Sequence, residues 1–62
     1  SLKFAANVEK LLKARNLSKA YFYKNAKISS SSFVTWKNSM PTLSTLTKVA
    51  DFFDVSIDEL LK

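Results

Sequence analysis

The sequence predicts an all-α protein of five short helices, and three observations support this prediction. The 62 residues contain no Gly and one Pro, whereas the turns of β-hairpins usually contain Gly. Apolar residues recur at helical spacing in the first and fourth segments. Ser or Thr precedes four of the five segments, where a side-chain oxygen can cap a helix. The length fits one domain over residues 1–62 with a small core.

The first helix is predicted to end near Arg15 and Asn16. One apolar face is formed by Phe4, Val8, Leu11 and Leu12, at the spacing of a helix. Asn tolerates the left-handed conformation that ends many helices. Leu17 follows directly, and we expect its side chain to anchor the chain in the core.

The second and third helices are predicted to be short and close together. Ser18 is a suitable N-cap for a helix over 18–26, and Ser29 for a helix over 29–37. The run Ser29–Ser32 taken alone resembles a flexible linker. The apolar residues around it argue against a linker, because they are too close together to remain all exposed. The inward-facing set is Phe22, Ala26, Ile28, Phe33 and Trp36, with Trp36 at the edge of the core.

The fourth and fifth helices have the clearest signals. Pro41 cannot continue a helix, and Thr42 can cap the next one. The fourth helix has its apolar face at Leu43, Leu46, Val49, Ala50 and Phe53. Ser56 and Glu59 have the spacing of a capping box for the fifth helix, whose Leu60 and Leu61 are expected to close the core.

The charge is distributed unevenly along the chain. Residues 1–48 contain nine Lys and Arg but one acid, Glu9, and carry a net charge of +8. Residues 49–62 carry −3. A one-sided basic field favours a polyanionic partner, with nucleic acid ahead of a membrane surface. The simpler alternative is that the lysines serve solubility alone.

The composition argues against an enzyme or a metal protein. Cys and His are absent, which excludes a His-based triad and leaves a zinc site without its usual ligands. The acids Asp51, Asp54, Asp58 and Glu59 lie at capping and helix-surface positions. A chain this small has little room for a pocket of ~300 Å³. We therefore expect no catalytic residue, no metal and no cofactor. The sequence has no apolar run of ~18 residues and no visible signal peptide, so we also expect a cytoplasmic location and no membrane partner.

Two short helices joined by a tight turn describe a helix-turn-helix. Residues 17–38 resemble the helix-turn-helix of the lambda-repressor-like (Cro or XRE-type) family, and residues 41–61 resemble the family's following segment more closely. The resemblance covers about residues 3–61. Its more specific part is carried by Pro41, Leu43, Thr45, Leu46, Lys48, Val49, Ala50, Val55, Ser56, Asp58 and Leu60.

The sequence also differs from the family at four positions of the motif. The family commonly has Ala where Tyr23 stands and a larger aliphatic residue where Ala26 stands, so this pair is interpreted as a volume-conserving exchange. It commonly has Gly at the turn, where Lys27 stands. Gln is frequent at the start of the second helix, where Lys19 stands.

The resemblance implies a sequence-specific, repressor-type regulator of transcription that binds double-stranded DNA. The sequence resembles repressors from Gram-positive bacteria and their phages most, and the implied location is the bacterial cytoplasm at the nucleoid. The third helix would lie in the major groove, with its base-reading residues at Ser30, Ser31, Val34 and Thr35. The phosphate-binding residues would be Ser18, Lys19, Lys37, Asn38 and Ser39.

The predicted base-reading face contains only short side chains. It has no Arg for guanine and no Asn or Gln for adenine. DNA shape, water bridges and a close approach of the helix would then supply much of the specificity. Val34 or the methyl of Thr35 would contact a thymine methyl.

Three residues are harder to place in one core, namely Met40, Phe52 and Ile57. We interpret them as a candidate surface for a weak homodimer, the alternative being ordinary partial exposure. Two other functions stay open. One alternative is a protein-interaction module that kept the fold without reading DNA, which the short side chains favour. The other is the antitoxin of a toxin–antitoxin pair, which needs a toxin-binding segment, and none is visible in the sequence.

Overall fold

A computed structural model describes residues 3–62, which form five helices and no strand. The all-α prediction is confirmed. The two longest helices have 11 residues each, and within the described range no helix has the length and apolar character needed to cross a membrane. The helices are α1 (Phe4–Ala14), α2 (Lys19–Ala26), α3 (Ser30–Thr35), α4 (Leu43–Phe53) and α5 (Ile57–Leu61).

The core lies where α1 packs on α5, α2 on α4, and α4 on α5. Phe22 is fully buried, and five aromatic rings lie within 6.3 Å of its ring centroid. The amide of Asn7 adds a link from α1 to α5 by donating to the Leu60 carbonyl at 2.7 Å. The buried set is Phe4, Ala5, Val8, Leu12, Phe22, Ala26, Ile28, Phe33, Trp36, Leu46, Val49, Ala50, Phe53 and Leu60.

The predicted core is confirmed except at its margin. Leu11 and Leu17 are partly buried and pack against the core rather than inside it. Trp36, expected at the edge, is 3% exposed because its ring packs edge-on against Phe4 at a centroid distance of 4.8 Å. Leu43 and Leu61 were expected to face inward but are exposed, since each lies near an end of its helix.

Three connections share one local structure, at residues 16–18, 27–29 and 54–56. The first residue of each is left-handed, with φ of 57°, 60° and 57° respectively. The second is aliphatic and donates its N–H to the carbonyl five residues back, at 2.8, 3.0 and 3.0 Å. The third is a Ser whose hydroxyl accepts the N–H three residues on. Helices end and restart within three residues, because the left-handed residue reverses the chain and the Ser caps the next helix.

The turn between α2 and α3 carries local strain at Lys27. Asn16 and Asp54 have side chains that tolerate the left-handed region, whereas Lys incurs its steric cost of about 1 kcal/mol. We expect Lys27→Gly to raise the free energy of unfolding by about 0.5–1 kcal/mol, which is a rise in Tm of a few degrees. Asn16→Gly is the matched control, with no gain expected. Thermal melts followed by circular dichroism check this, and equal gains for both variants would contradict it.

All four predicted N-caps are confirmed. The hydroxyls of Ser18, Ser29, Thr42 and Ser56 each accept a backbone N–H three residues on. The capping box of α5 is half formed, because the Glu59 carboxylate pairs with Lys62 Nζ at 3.4 Å on the exposed surface.

The third helix is shorter than the predicted range 29–37. It ends at Thr35, and the N–H groups of Lys37 and Asn38 bond to carbonyls three residues back, at 3.3 and 3.0 Å. The chain therefore tightens into a 3₁₀-like turn. This turn brings the N–H and hydroxyl of Ser39 back to the Thr35 carbonyl, at 3.0 and 3.4 Å.

Candidate nucleic-acid interface

The helices α2 and α3 form a helix-turn-helix held together by aromatic rings. Phe33 of α3 packs against Phe22 and Tyr23 of α2, with centroid distances of 6.1 and 6.0 Å. Trp36 follows α3 and contacts Phe22 at 6.3 Å and Phe4 of α1 at 4.8 Å. One side of α3 is thereby fixed against α1 and α2, and its other side faces solvent.

The structure places all four predicted base-reading residues on the exposed side of α3. Ser30, Ser31, Val34 and Thr35 are each exposed, and their spacing of i, i+1, i+4 and i+5 puts them on one helical face. Val34 is 64% exposed. The face is therefore narrow and shallow, with a rigid aliphatic side chain between hydroxyls.

Most hydroxyls of this region are bonded within the helix. Ser29 Oγ accepts the Ser32 N–H at 3.3 Å and shares hydrogen bonds with the hydroxyls of Ser31, at 3.2 Å, and Ser32, at 2.9 Å. The Thr35 hydroxyl donates to the Ser31 carbonyl at 2.9 Å. Ser30 is the member of the run for which the described residues provide no side-chain hydrogen bond. Ser29 thus caps the helix, and the hydroxyl proton of Thr35 is already used in a hydrogen bond to the Ser31 carbonyl.

The predicted phosphate contacts at the start of α2 lie at a junction of three helices. Ser18 caps α2 by accepting the Tyr21 N–H at 3.1 Å, which leaves its own O–H free to donate. Lys19 Nζ lies 3.5 Å from Glu9 Oε1 of α1 and 5.2 Å from the ring centroid of Phe33 in α3. An ion pair this exposed contributes at most about 1 kcal/mol. A phosphate oxygen can therefore compete with Glu9 for the ammonium.

The sequence-based prediction missed the role of Glu9. It is the one acid among the first 50 residues, so it was the available partner for a Lys of the motif. Its pairing with Lys19 depends on how α1 packs against α2, which the spacing along the chain does not reveal.

The other predicted phosphate contacts follow α3 on the same exposed stretch. Lys37, Asn38 and Ser39 form the turn that ends α3, and all three are exposed. A groove of about 230 Å³ lies between this turn and the start of α4. Its lining includes Thr35, Ser39 and Thr42. Polar groups thus continue from the face of α3 to the N-terminus of α4.

The charge of this region is of one sign. From residue 10 to residue 50 the chain has eight Lys and Arg and no Asp or Glu, and this stretch contains all of α2 and α3. The other acids lie on or beside α4 and α5, beginning at Asp51. The helix-turn-helix therefore presents a positive surface, and the end of α4 with α5 presents the acids.

The candidate dimer residues Met40, Phe52 and Ile57 lie on three different elements. Met40 is exposed in the connection from α3 to α4. Phe52 and Ile57 are partly buried and pack against the core, with the Phe52 ring 5.3 Å from that of Phe22. Much of Phe52 is thus engaged inside the monomer, and a dimer surface at these residues stays a prediction.

Comparison with known proteins gives a family match. The family described as Cro/C1-type HTH DNA-binding domain matches residues 7–62 of this chain. No curated protein and no solved structure matches this chain significantly. The match includes α2, α3 and the connection after them, which are the elements that carry the exposed polar face and the lysines.

Proposed function

Because the chain belongs to the Cro/C1-type HTH DNA-binding family, which implies DNA binding, we propose that it is a sequence-specific transcriptional regulator of the repressor type. In this proposal α3 enters the major groove of an operator. The observation that carries it is the exposed face of α3, where four short side chains lie in a stretch, residues 10–50, that contains eight Lys and Arg and no acid. Catalysis has no part in it, since the family is one of DNA-binding domains.

The face of α3 reads the bases at short range. Ser30, Ser31, Val34 and Thr35 have no side chain longer than Val, so the helix backbone can approach the base edges closely. Ser30 can donate or accept, and Thr35 can only accept, because its proton is bonded to the Ser31 carbonyl. Discrimination by hydrogen bonds is therefore weak. The shape of the groove supplies part of the specificity.

Two groups of residues bind the phosphate backbone on either side of α3. The hydroxyl of Ser18 and the ammonium of Lys19 stand at the N-terminus of α2, whose dipole also favours an anion. Lys37, Asn38 and Ser39 provide contacts at the other end of α3. On binding, a phosphate replaces Glu9 as the partner of Lys19. These contacts position α3 and make affinity depend on salt.

Repression follows from occupancy of the operator. Two copies bound side by side would place their α3 helices in successive major grooves, about 34 Å apart. A dimer of this kind would cover a promoter and exclude the polymerase. The proposed setting is the cytoplasm of a bacterium, with the gene in its chromosome or in a phage.

The experiment that tests this function is selection of duplexes from a randomised DNA library by the purified protein. We expect enrichment of a two-fold symmetric site with half-sites about 10 base pairs apart. A variant with both Lys19→Glu and Lys37→Glu should enrich nothing. Lys62→Glu, a charge reversal at the acidic end of the chain, should enrich the same site as the wild type.

The other outcomes of the selection have defined meanings. One enriched half-site without symmetry would support DNA reading and argue against the dimer. No enrichment would contradict the proposal and favour a protein-interaction module. The lack of Arg, Asn and Gln on the face of α3 is the observation that favours this second candidate. For such a module, Lys19→Glu would leave partner binding intact.

A further inference from the structure

We propose that α3 reads the C5-methyl group of pyrimidines, so that the operator is recognised through thymine, or through 5-methylcytosine at the same position. The contact would be made by the side chain of Val34 and the methyl group of Thr35. This inference rests on the proposed function and adds the chemical group that is recognised. It follows from the hydroxyl and methyl groups that the exposed face of α3 presents to a base pair.

Two of the three hydroxyls on the face, those of Ser31 and Thr35, are hydrogen-bonded inside the protein, which leaves Ser30 to bond with a base. The Thr35 proton is bonded to the Ser31 carbonyl at 2.9 Å, and the Ser31 hydroxyl lies 3.2 Å from that of Ser29. A base that pairs with Thr35 finds oxygen lone pairs and a methyl group, without a donor. Guanine offers two acceptors, N7 and O6, in the major groove, so it gains no hydrogen bond from Thr35.

Val34 supplies the apolar contact. It is 64% exposed, lies outside the core and stands on the same helical face as Thr35. Val has one preferred rotamer in a helix, so little side-chain entropy is lost when it is held against a base. On its N-terminal side, the neighbours of Val34 across one turn are Ser30 and Ser31, which are both shorter than Val.

The chemistry of the groove provides a matching group. Thymine exposes its C5-methyl in the major groove, and cytosine has a hydrogen at that position. A methyl at C5 of cytosine projects from the same ring atom. Burial of one methyl group contributes about 0.8 kcal/mol, which is a factor of about four in affinity.

The test uses the duplex enriched by the selection, with thymine replaced by uracil at one position at a time. Uracil keeps the hydrogen-bonding groups of thymine and lacks only the methyl. We expect one or two positions per half-site where uracil weakens binding about fourfold. At these positions a 5-methylcytosine·guanine pair should bind about fourfold more tightly than cytosine·guanine.

Val34→Ala identifies the residue responsible. In this variant the uracil and thymine duplexes should bind with nearly equal affinity at the position that Val34 contacts. The matched control is Leu43→Ala, which removes a 70% exposed aliphatic side chain from α4 and should keep the discrimination. Both residues are exposed, so neither variant is expected to unfold, and circular dichroism verifies this.

Two results would overturn the inference while leaving DNA binding intact. One is a selected duplex in which no uracil replacement weakens binding. The other is a Val34→Ala variant that discriminates uracil from thymine as strongly as the wild type. Absence of any enriched duplex would overturn the inference together with the proposed function, and is distinguished by the absence of binding itself.

Discussion

Replacing Phe22 with Ala is expected to cost about 3–5 kcal/mol of the free energy of unfolding. Phe22 is fully buried, and its ring is surrounded by those of Tyr23, Phe33, Trp36, Phe52 and Phe53. Ala would leave a cavity that these rigid neighbours cannot fill. A domain of this size has a total stability of roughly 3–9 kcal/mol. The variant should therefore lose at least about a third of its stability, and its Tm should fall by more than about 10 °C.

Urea titration followed by circular dichroism measures this loss. Tyr21→Ala is the control, because Tyr21 is an aromatic residue of the same helix that is 50% exposed. Its ring meets one other aromatic ring, that of Phe52, at 6.0 Å. We expect the control to lose less than about 1 kcal/mol. A Phe22→Ala variant as stable as the control would show that α2 is not held by this aromatic cluster.

The starts of the helices could be predicted because their signals are local. Ser18, Ser29, Thr42 and Ser56 each bond to a backbone N–H three residues on, and that geometry depends on the cap residue and the next turn alone. The core positions followed from helical spacing for the same reason. Phe4, Val8 and Leu12 share a face whatever the rest of the chain does.

The end of α3 and the burial of Trp36 could not be predicted in this way. Nothing between Thr35 and Ser39 stops a helix, since the stretch has no Gly or Pro. In the structure α3 ends at Thr35, the next residue Trp36 packs against Phe4 of α1, and the backbone tightens beyond it. Contacts between distant segments decide such boundaries, and the residue types alone do not encode them.

The connection repeated at three places in the chain could be predicted only in part. A left-handed residue, an aliphatic residue and a Ser occur in order at residues 16–18, 27–29 and 54–56. The aliphatic–Ser pair is visible in the sequence three times. Asn16 signals the left-handed conformation, but Lys27 does not, because Lys has no local preference for it. The packing of Ile28 into the core holds Lys27 in that conformation.

The residues of the candidate site stay a prediction, and their hydrogen bonds and ion pairs could not be predicted from the sequence. The exposure of Ser30, Ser31, Val34 and Thr35 follows from the helical pattern. Two features depended on the structure, namely the bond from Thr35 to the Ser31 carbonyl and the pairing of Lys19 with Glu9. The first bond occupies the Thr35 donor on the exposed face of α3, and the second holds the Lys19 ammonium beside a carboxylate on the protein surface.

Salt dependence is the most direct test of binding to duplex DNA through its phosphates. If four to six phosphates are contacted, affinity for a selected duplex should fall by roughly two to three orders of magnitude as salt rises from about 50 to 200 mM. Lys37→Gln should reduce the slope by about one, whereas Lys62→Gln should leave it unchanged.

Fluorescence anisotropy of a labelled duplex, titrated with protein at several salt concentrations, provides the measurement. We expect a steep linear fall of log affinity with log salt concentration, which becomes shallower in Lys37→Gln. An affinity that changes little over this range, or a slope that is the same in wild type and Lys37→Gln, would contradict binding through the phosphates.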